Sequence, residues 1–132
     1  MMKKVCIIGI GLIGGSLAKA IKKTHQSEIV FGYGRDEERL ERAQKSNVID
    51  QYSTDIGEAL YGANIVIIAT PVGSYESILE EIKPHIAEDM AISDVGSTKV
   101  SVVEAVKTVF DYGLDNFIPA HPIAGKRRVA LR

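Results

Sequence analysis

Tryptophan is absent from this 132-residue sequence, cysteine occurs once, and aromatic residues make up only 6%. A single cysteine excludes an internal disulfide, and its place in an apolar run makes Cys6 a small buried hydrophobe rather than a reactive thiol. An excess of one charge is missing as well. The 16 Lys and Arg stand against 17 Asp and Glu, a net charge of −1, which gives no footing for nucleic acid or an anionic membrane as partner. No apolar run reaches the length needed to span a bilayer, and the N-terminus lacks an apolar signal core followed by a cleavage site. Neither histidines nor carboxylates pair at metal-ligand spacing, so no metal is expected; His25 and His85 fall in polar loop contexts and read as surface residues. Repeats, low-complexity tracts and linkers are also lacking. With 45% hydrophobic and 25% charged residues, the remainder describes one ordinary globular domain, expected in the cytoplasm and small for a two-substrate enzyme.

The most informative stretch present is the start, Val5-Cys6-Ile7-Ile8-Gly9-Ile10-Gly11-Leu12-Ile13-Gly14-Gly15-Ser16-Leu17-Ala18. An apolar run leads into G-x-G-x-x-G, and a helical pattern follows at once. A dinucleotide-binding turn needs that order. Gly9 permits the tight turn out of the strand, Gly11 lets a pyrophosphate approach the backbone, and Gly14 allows the helix to pack closely on the sheet. The N-terminus of that helix, at Leu12, Ile13 and Gly14, offers unpaired N–H groups and partial positive charge to phosphates.

The rest of the chain reads as strands alternating with helices. Strands are expected at residues 4–9, 28–33, 48–49, 64–69, 90–95 and 117–120. Helices are expected at 14–23, 36–45 with Asp36 as N-cap and Leu40 and Ala43 buried, 56–60, 75–86 with a kink near Pro84, and 99–110 with Val102, Val103, Val106 and Phe110 inward. The run Asn64-Ile65-Val66-Ile67-Ile68-Ala69 is continuous rather than alternating, as a parallel strand covered on both faces requires. The fold class is therefore α/β, a doubly wound, mostly parallel sheet of Rossmann type.

In NAD-binding turns an acidic residue about twenty positions past the last glycine holds the ribose diol. Here that position is Gly34, followed by Arg35 and Asp36. Arg35 could meet a 2′-phosphate and favour NADP. Asp36 could swing back to the ribose hydroxyls and allow NAD, or serve only as an N-cap. Spacing leaves the cofactor as NAD or NADP. Thr70-Pro71 closes the strong strand and should line the cofactor cleft. Two further segments, Asp94-Val95-Gly96-Ser97-Thr98-Lys99 and His121-Pro122-Ile123-Ala124-Gly125, follow strands on the same sheet edge, where open α/β sheets bind their ligands. Ser97 fits a helix N-cap, and Ser101 with Glu104 fits a capping box.

The opening Ile8-Gly9-Ile10-Gly11-Leu12-Ile13-Gly14-Gly15-Ser16-Leu17-Ala18, then A-T-P-V, D-V-G-S-T-K and H-P-I-A-G in that order, resembles the prephenate/arogenate dehydrogenase family of tyrosine biosynthesis over residues 4–126. The resemblance implies an NAD- or NADP-dependent oxidative decarboxylation of prephenate to 4-hydroxyphenylpyruvate, or of arogenate to tyrosine. It implies His121 as the base or polarising acceptor for the substrate hydroxyl, and Ser97 as the residue that hydrogen-bonds that hydroxyl and orients the histidine. A β-hydroxyacid dehydrogenase shares the early glycines but would use a lysine from a second domain. A non-catalytic dinucleotide-sensing domain would have no use for Ser97 and His121.

The family pattern continues after the histidine motif with an acidic residue in G-x-E and then an all-helical domain that dimerises and supplies cations for the substrate carboxylates. Here Gly125-Lys126 is followed by Arg127-Arg128-Val129-Ala130-Leu131-Arg132. The expected division is thus 1–126 as an NAD(P)-binding domain and 127–132 as an aberrant tail, with a homodimer only for a longer form and little activity without the helical domain. One base deleted after codon 126 accounts for the tail: the codons AAA AGA AGA GTG GCG TTG AGG, with a G restored after the first, read Lys-Glu-Lys-Ser-Gly-Val-Glu.

Overall fold

The structure is a computed structural model that describes residues 2–70, 75–87, 90–94 and 117–119. Its elements in chain order are β1 (Met2–Ile8), α1 (Leu12–Lys23), β2 (Ser27–Tyr33), α2 (Glu37–Lys45), β3 (Gln51–Ser53), α3 (Ile56–Leu60), β4 (Ile65–Ile68), α4 (Tyr75–Ile82) with a short 3-10 turn at Lys83–His85, β5 (Ala91–Asp94) and β6 (Phe117–Pro119). The six strands form one sheet in the order β3-β2-β1-β4-β5-β6. Every pairing is parallel, with Ile8 beside both Tyr33 and Ile68, Ile68 beside Asp94, and Asp94 beside Pro119. The chain order reverses between β1 and β4, and an open α/β sheet has its ligand crevice at that switch point.

Side chains alternate along the strands and so build two cores, one on each face of the sheet. Val5 and Ile7 of β1 join Ile65 and Ile67 of β4 beneath Leu17 and Ile21 of α1 and Leu40 of α2. Cys6 and Ile8 join Val66 and Ile68 beneath Leu60 of α3 and Ile78 and Ile82 of α4. β1 and β4 are thus buried on both sides, as the unbroken apolar run from Ile65 predicts. Cys6 has no exposed surface, and burial pushes its thiol up to about 12, which leaves it inert. The helix–turn near Pro84 falls where expected, because proline has no N–H to continue the α-helical ladder. His25 and His85 are exposed.

Two expectations are corrected. The third strand lies at Gln51–Ser53, not at Val48-Ile49. Helix α2 ends in a Schellman motif: Asn47 takes φ 61°, its N–H donates to Gln44 O at 3.1 Å, and Val48 N–H donates to Ala43 O at 2.8 Å. Val48 and Ile49 are therefore the apolar residues that follow a helix cap, with Ile49 buried in the core, and pairing with β2 begins only at Gln51 beside Phe31. Helix α1 starts at Leu12 rather than Gly14, since Gly15 N–H already donates to Gly11 O at 2.8 Å. The glycine turn is itself the first turn of the helix. The expected helix at 99–110 lies outside the described residues.

Candidate functional site

At the switch point, Gly9 leaves β1 with φ +95°, a conformation that a side chain rarely tolerates. Its N–H donates to Tyr33 O at 2.9 Å, and Ala69 N–H donates to Ile8 O at 2.8 Å, so the turn is tied to β2 on one side and to the end of β4 on the other. A Cβ at Gly9 would sit 2.8 Å from Thr70 Cγ2, and one at Gly14 would sit 2.0 Å from Gly9 O. The helix and the turn approach so closely that only glycine fits at residue 14. A Cβ at Gly11 would meet nothing within 4 Å and would project into open space.

Gly11 lines a cleft of about 830 Å³, within the usual range for a ligand site. Gly9, Gly11, Leu12 and Ile13 line one wall, Gly34, Arg35 and Asp36 another, and Thr70 the floor between them. The structure thus brings together most of the residues expected to bind a cofactor. Gly14 is not a lining residue; it holds the helix against the turn. Pro71, Ser97 and His121 lie outside the described residues. The chain leaves β5 at Asp94 shortly before Ser97, and β6 at the adjacent Pro119 just before His121.

The cleft is suited to an anion. Helix geometry leaves the N–H groups of Leu12, Ile13 and Gly14 without intrahelical acceptors, and α1 has neither a side-chain cap nor an acidic residue in its first turn. Thr70 Oγ1 is buried there without a hydrogen-bond partner among the described residues. A phosphate-bearing ligand in the cleft would supply acceptors for those N–H groups. Among the described residues no group of His, Cys, Asp or Glu could hold a metal ion, and no helix is long and apolar enough to cross a membrane.

At the end of β2 the alternatives for Asp36 separate. One oxygen of its carboxylate accepts Arg39 N–H at 3.2 Å and caps α2, so that oxygen is already engaged at the cleft wall. Arg35 is 80% exposed and reaches Glu81 of α4 at 4.0 Å. Glu81 also accepts the Tyr33 hydroxyl. Sequence reasoning missed Tyr33, Arg39 and Ser77 as lining residues. Arg39 lies in the first turn of α2, just past the Asp36 cap that the sequence marks; the meeting of Tyr33 with Glu81 joins a strand to a distant helix and leaves no local signal.

Burial, then the hydrogen bond to Glu81 and its negative charge, push the Tyr33 phenol up to about 12 from its ordinary 10.0. The neutral phenol is the favoured form, so its contribution to stability is whole below pH 10.0 and is lost as pH rises through about 12. Tyr33→Phe should remove the latest phenol from an alkaline absorbance titration and flatten the loss of thermal stability over that interval. Loss of an ordinary phenol near pH 10.0 instead of the latest one would show that Tyr33 ionises like an exposed tyrosine.

A family model described as the nucleotide-binding domain of prephenate dehydrogenase matches residues 17–130. The chain belongs to the prephenate dehydrogenase family. A prephenate dehydrogenase of Lactococcus lactis subsp. cremoris is 38% identical over 129 residues, which cover 96% of this chain and 36% of that protein. The chain therefore spans little more than a third of the length of this curated relative. Among solved structures, the Aquifex aeolicus prephenate dehydrogenase in complex with hydroxyphenyl propionate and NAD+ superposes with a TM-score of 0.72 at 28% identity, over 96% of this chain and 43% of that one. The Synechocystis arogenate dehydrogenase superposes with a TM-score of 0.70 at 28% identity, over 93% of this chain and 42% of that one. The family model begins just past the glycine turn, and the match to the Lactococcus lactis enzyme covers 96% of the chain.

Proposed function

We propose that this chain is the NAD(P)-binding domain of a cytoplasmic prephenate dehydrogenase, which oxidatively decarboxylates prephenate to 4-hydroxyphenylpyruvate. The cleft at Gly9, Gly11 and Gly14, in a chain of this family, carries the reading. Gly9, Gly11, Leu12 and Ile13 would hold the pyrophosphate against the start of α1, with Gly14 keeping that helix in place. Gly34, Arg35 and Asp36 would border the adenosine ribose, and Thr70 with Pro71 would floor the cleft. The nicotinamide, when bound, supplies the acceptor for the hydride that leaves the hydroxyl-bearing ring carbon. His121 takes the hydroxyl proton, Ser97 holds that hydroxyl and the imidazole in line, and the ring carboxylate departs as CO2 as the ring becomes aromatic.

Residues 127–132 are, in this reading, one base out of frame, and the in-frame protein continues into a helical, dimerising domain that supplies cations for the substrate carboxylates. Sequencing the gene through codon 126 tests the frame. The activity test is prephenate-dependent reduction of NAD+ or NADP+ by the protein read in the restored frame, with arogenate in parallel. Turnover of prephenate supports the assignment. Turnover of arogenate alone would replace it by the second reading, favoured by the likeness to the Synechocystis arogenate dehydrogenase. Dinucleotide binding without turnover of either would leave a sensing domain.

A further inference from the structure

Four observations at the end of β2 bear on which dinucleotide the cleft takes. First, no carboxylate stands at the ribose position. Residue 34 is glycine although a Cβ there would make only ordinary contact, 3.7 Å from Leu40 Cδ2. Second, the nearest carboxylate, Asp36, is committed to Arg39 N–H as the cap of α2. Third, Arg39 lines the cleft, is exposed, and has no ion-pair partner among the described residues. Fourth, Arg35 lines the same wall, 80% exposed, held only by Glu81 at 4.0 Å. An exposed contact at that distance is weak and is readily exchanged for a doubly charged phosphate that accepts paired guanidinium hydrogen bonds. The acidic residues in the first turn of α2, Glu37 and Glu38, are exposed and do not line the cleft.

We propose that Arg35 and Arg39 form a reader for a phosphate on the 2′-oxygen of the adenosine ribose, so that the cleft prefers a 2′-phosphorylated dinucleotide. The proposal rests on the dinucleotide reading of the cleft and adds Arg39 as a specificity-determining residue. A ribose diol would find two cations and a carboxylate already used in part as a helix cap, whereas a 2′-phosphate would find two guanidinium groups lining the same cleft.

The test is calorimetric titration of the full chain with NADP+, NAD+, 2′,5′-ADP and 5′-AMP. The two shorter probes isolate the adenosine half of the site. NADP+ should bind at least about tenfold tighter than NAD+, and 2′,5′-ADP tighter than 5′-AMP by a similar factor. Arg39→Ala should weaken NADP+ and 2′,5′-ADP by about tenfold and leave NAD+ within about twofold. Arg35→Ala combined with Arg39→Ala should erase the discrimination, and Gly34→Asp should reverse it. The arginines are exposed, so the variants should melt like the parent. NAD+ binding as tightly as NADP+, or equal losses for both in Arg39→Ala, would overturn the 2′-phosphate reader and leave dinucleotide binding intact. Failure of all four probes to bind would overturn the dinucleotide reading and this proposal with it.

Discussion

Gly14→Ala is expected to cost the fold about 3 kcal/mol or more, whereas Gly11→Val should leave stability at the parent value. The added methyl at residue 14 would lie 2.0 Å from Gly9 O, and the obstacle is backbone, not the end of a flexible side chain. Relief requires α1 to move off the sheet, which opens the packing of Leu17 and Ile21 against Val5, Ile7 and Ile65. Overpacking of a tight contact usually costs about 1–3 kcal/mol, and a clash with backbone stands at or beyond the upper end. For a domain of this size that loss is a drop of roughly 10 °C in melting temperature. Gly11 has an extended conformation, φ −98° and ψ −150°, and an added Cβ meets nothing. Thermal melts of the two variants should therefore diverge. Equal melting temperatures for Gly14→Ala and the parent would show that the turn yields to an added methyl at no cost.

Under the proposed function, His121→Asn in the protein read in the restored frame should cut turnover by about 10²–10⁴ and leave KM for prephenate roughly intact. The substrate hydroxyl must lose its proton as the hydride leaves, and a positioned imidazole contributes on that scale. Asparagine keeps a similar size and a hydrogen-bonding group, so it can still touch the hydroxyl but cannot take its proton. The parent rate should fall on the acidic side, where a protonated imidazole can no longer take the proton, and the variant should lose that limb. Steady-state kinetics across pH measure both effects. Normal turnover in the variant would remove His121 from the chemistry. A raised KM at constant kcat would make it a binding residue instead.

The parts of this fold legible in the sequence are those with short-range causes. The apolar run at Ile65 demanded a strand buried on both faces, the glycines demanded a turn between strand and helix, and Asp36 announced the start of α2. Val48 and Ile49 misled for a physical reason: two consecutive apolar residues look alike in a short strand and after a Schellman cap, and only Asn47 with its positive φ marked the difference. At the site, the glycine wall followed from spacing alone. The opposite wall did not, because Tyr33 and Arg35 meet Glu81 across more than a third of the chain, and because whether Asp36 caps a helix or reaches a ribose is decided by geometry and not by residue type.

The central claim, that the glycine turn is a dinucleotide site, is tested most directly by calorimetric titration of NADP+ and NAD+ into the parent chain and into Gly11→Val. Residue 11 lines the cleft and a Cβ added there meets nothing within 4 Å, so in the dinucleotide reading a valine there would take space the pyrophosphate needs. The account predicts binding to the parent and none detectable to a Gly11→Val variant that melts at the parent temperature. Unchanged dinucleotide affinity in that folded variant would contradict it.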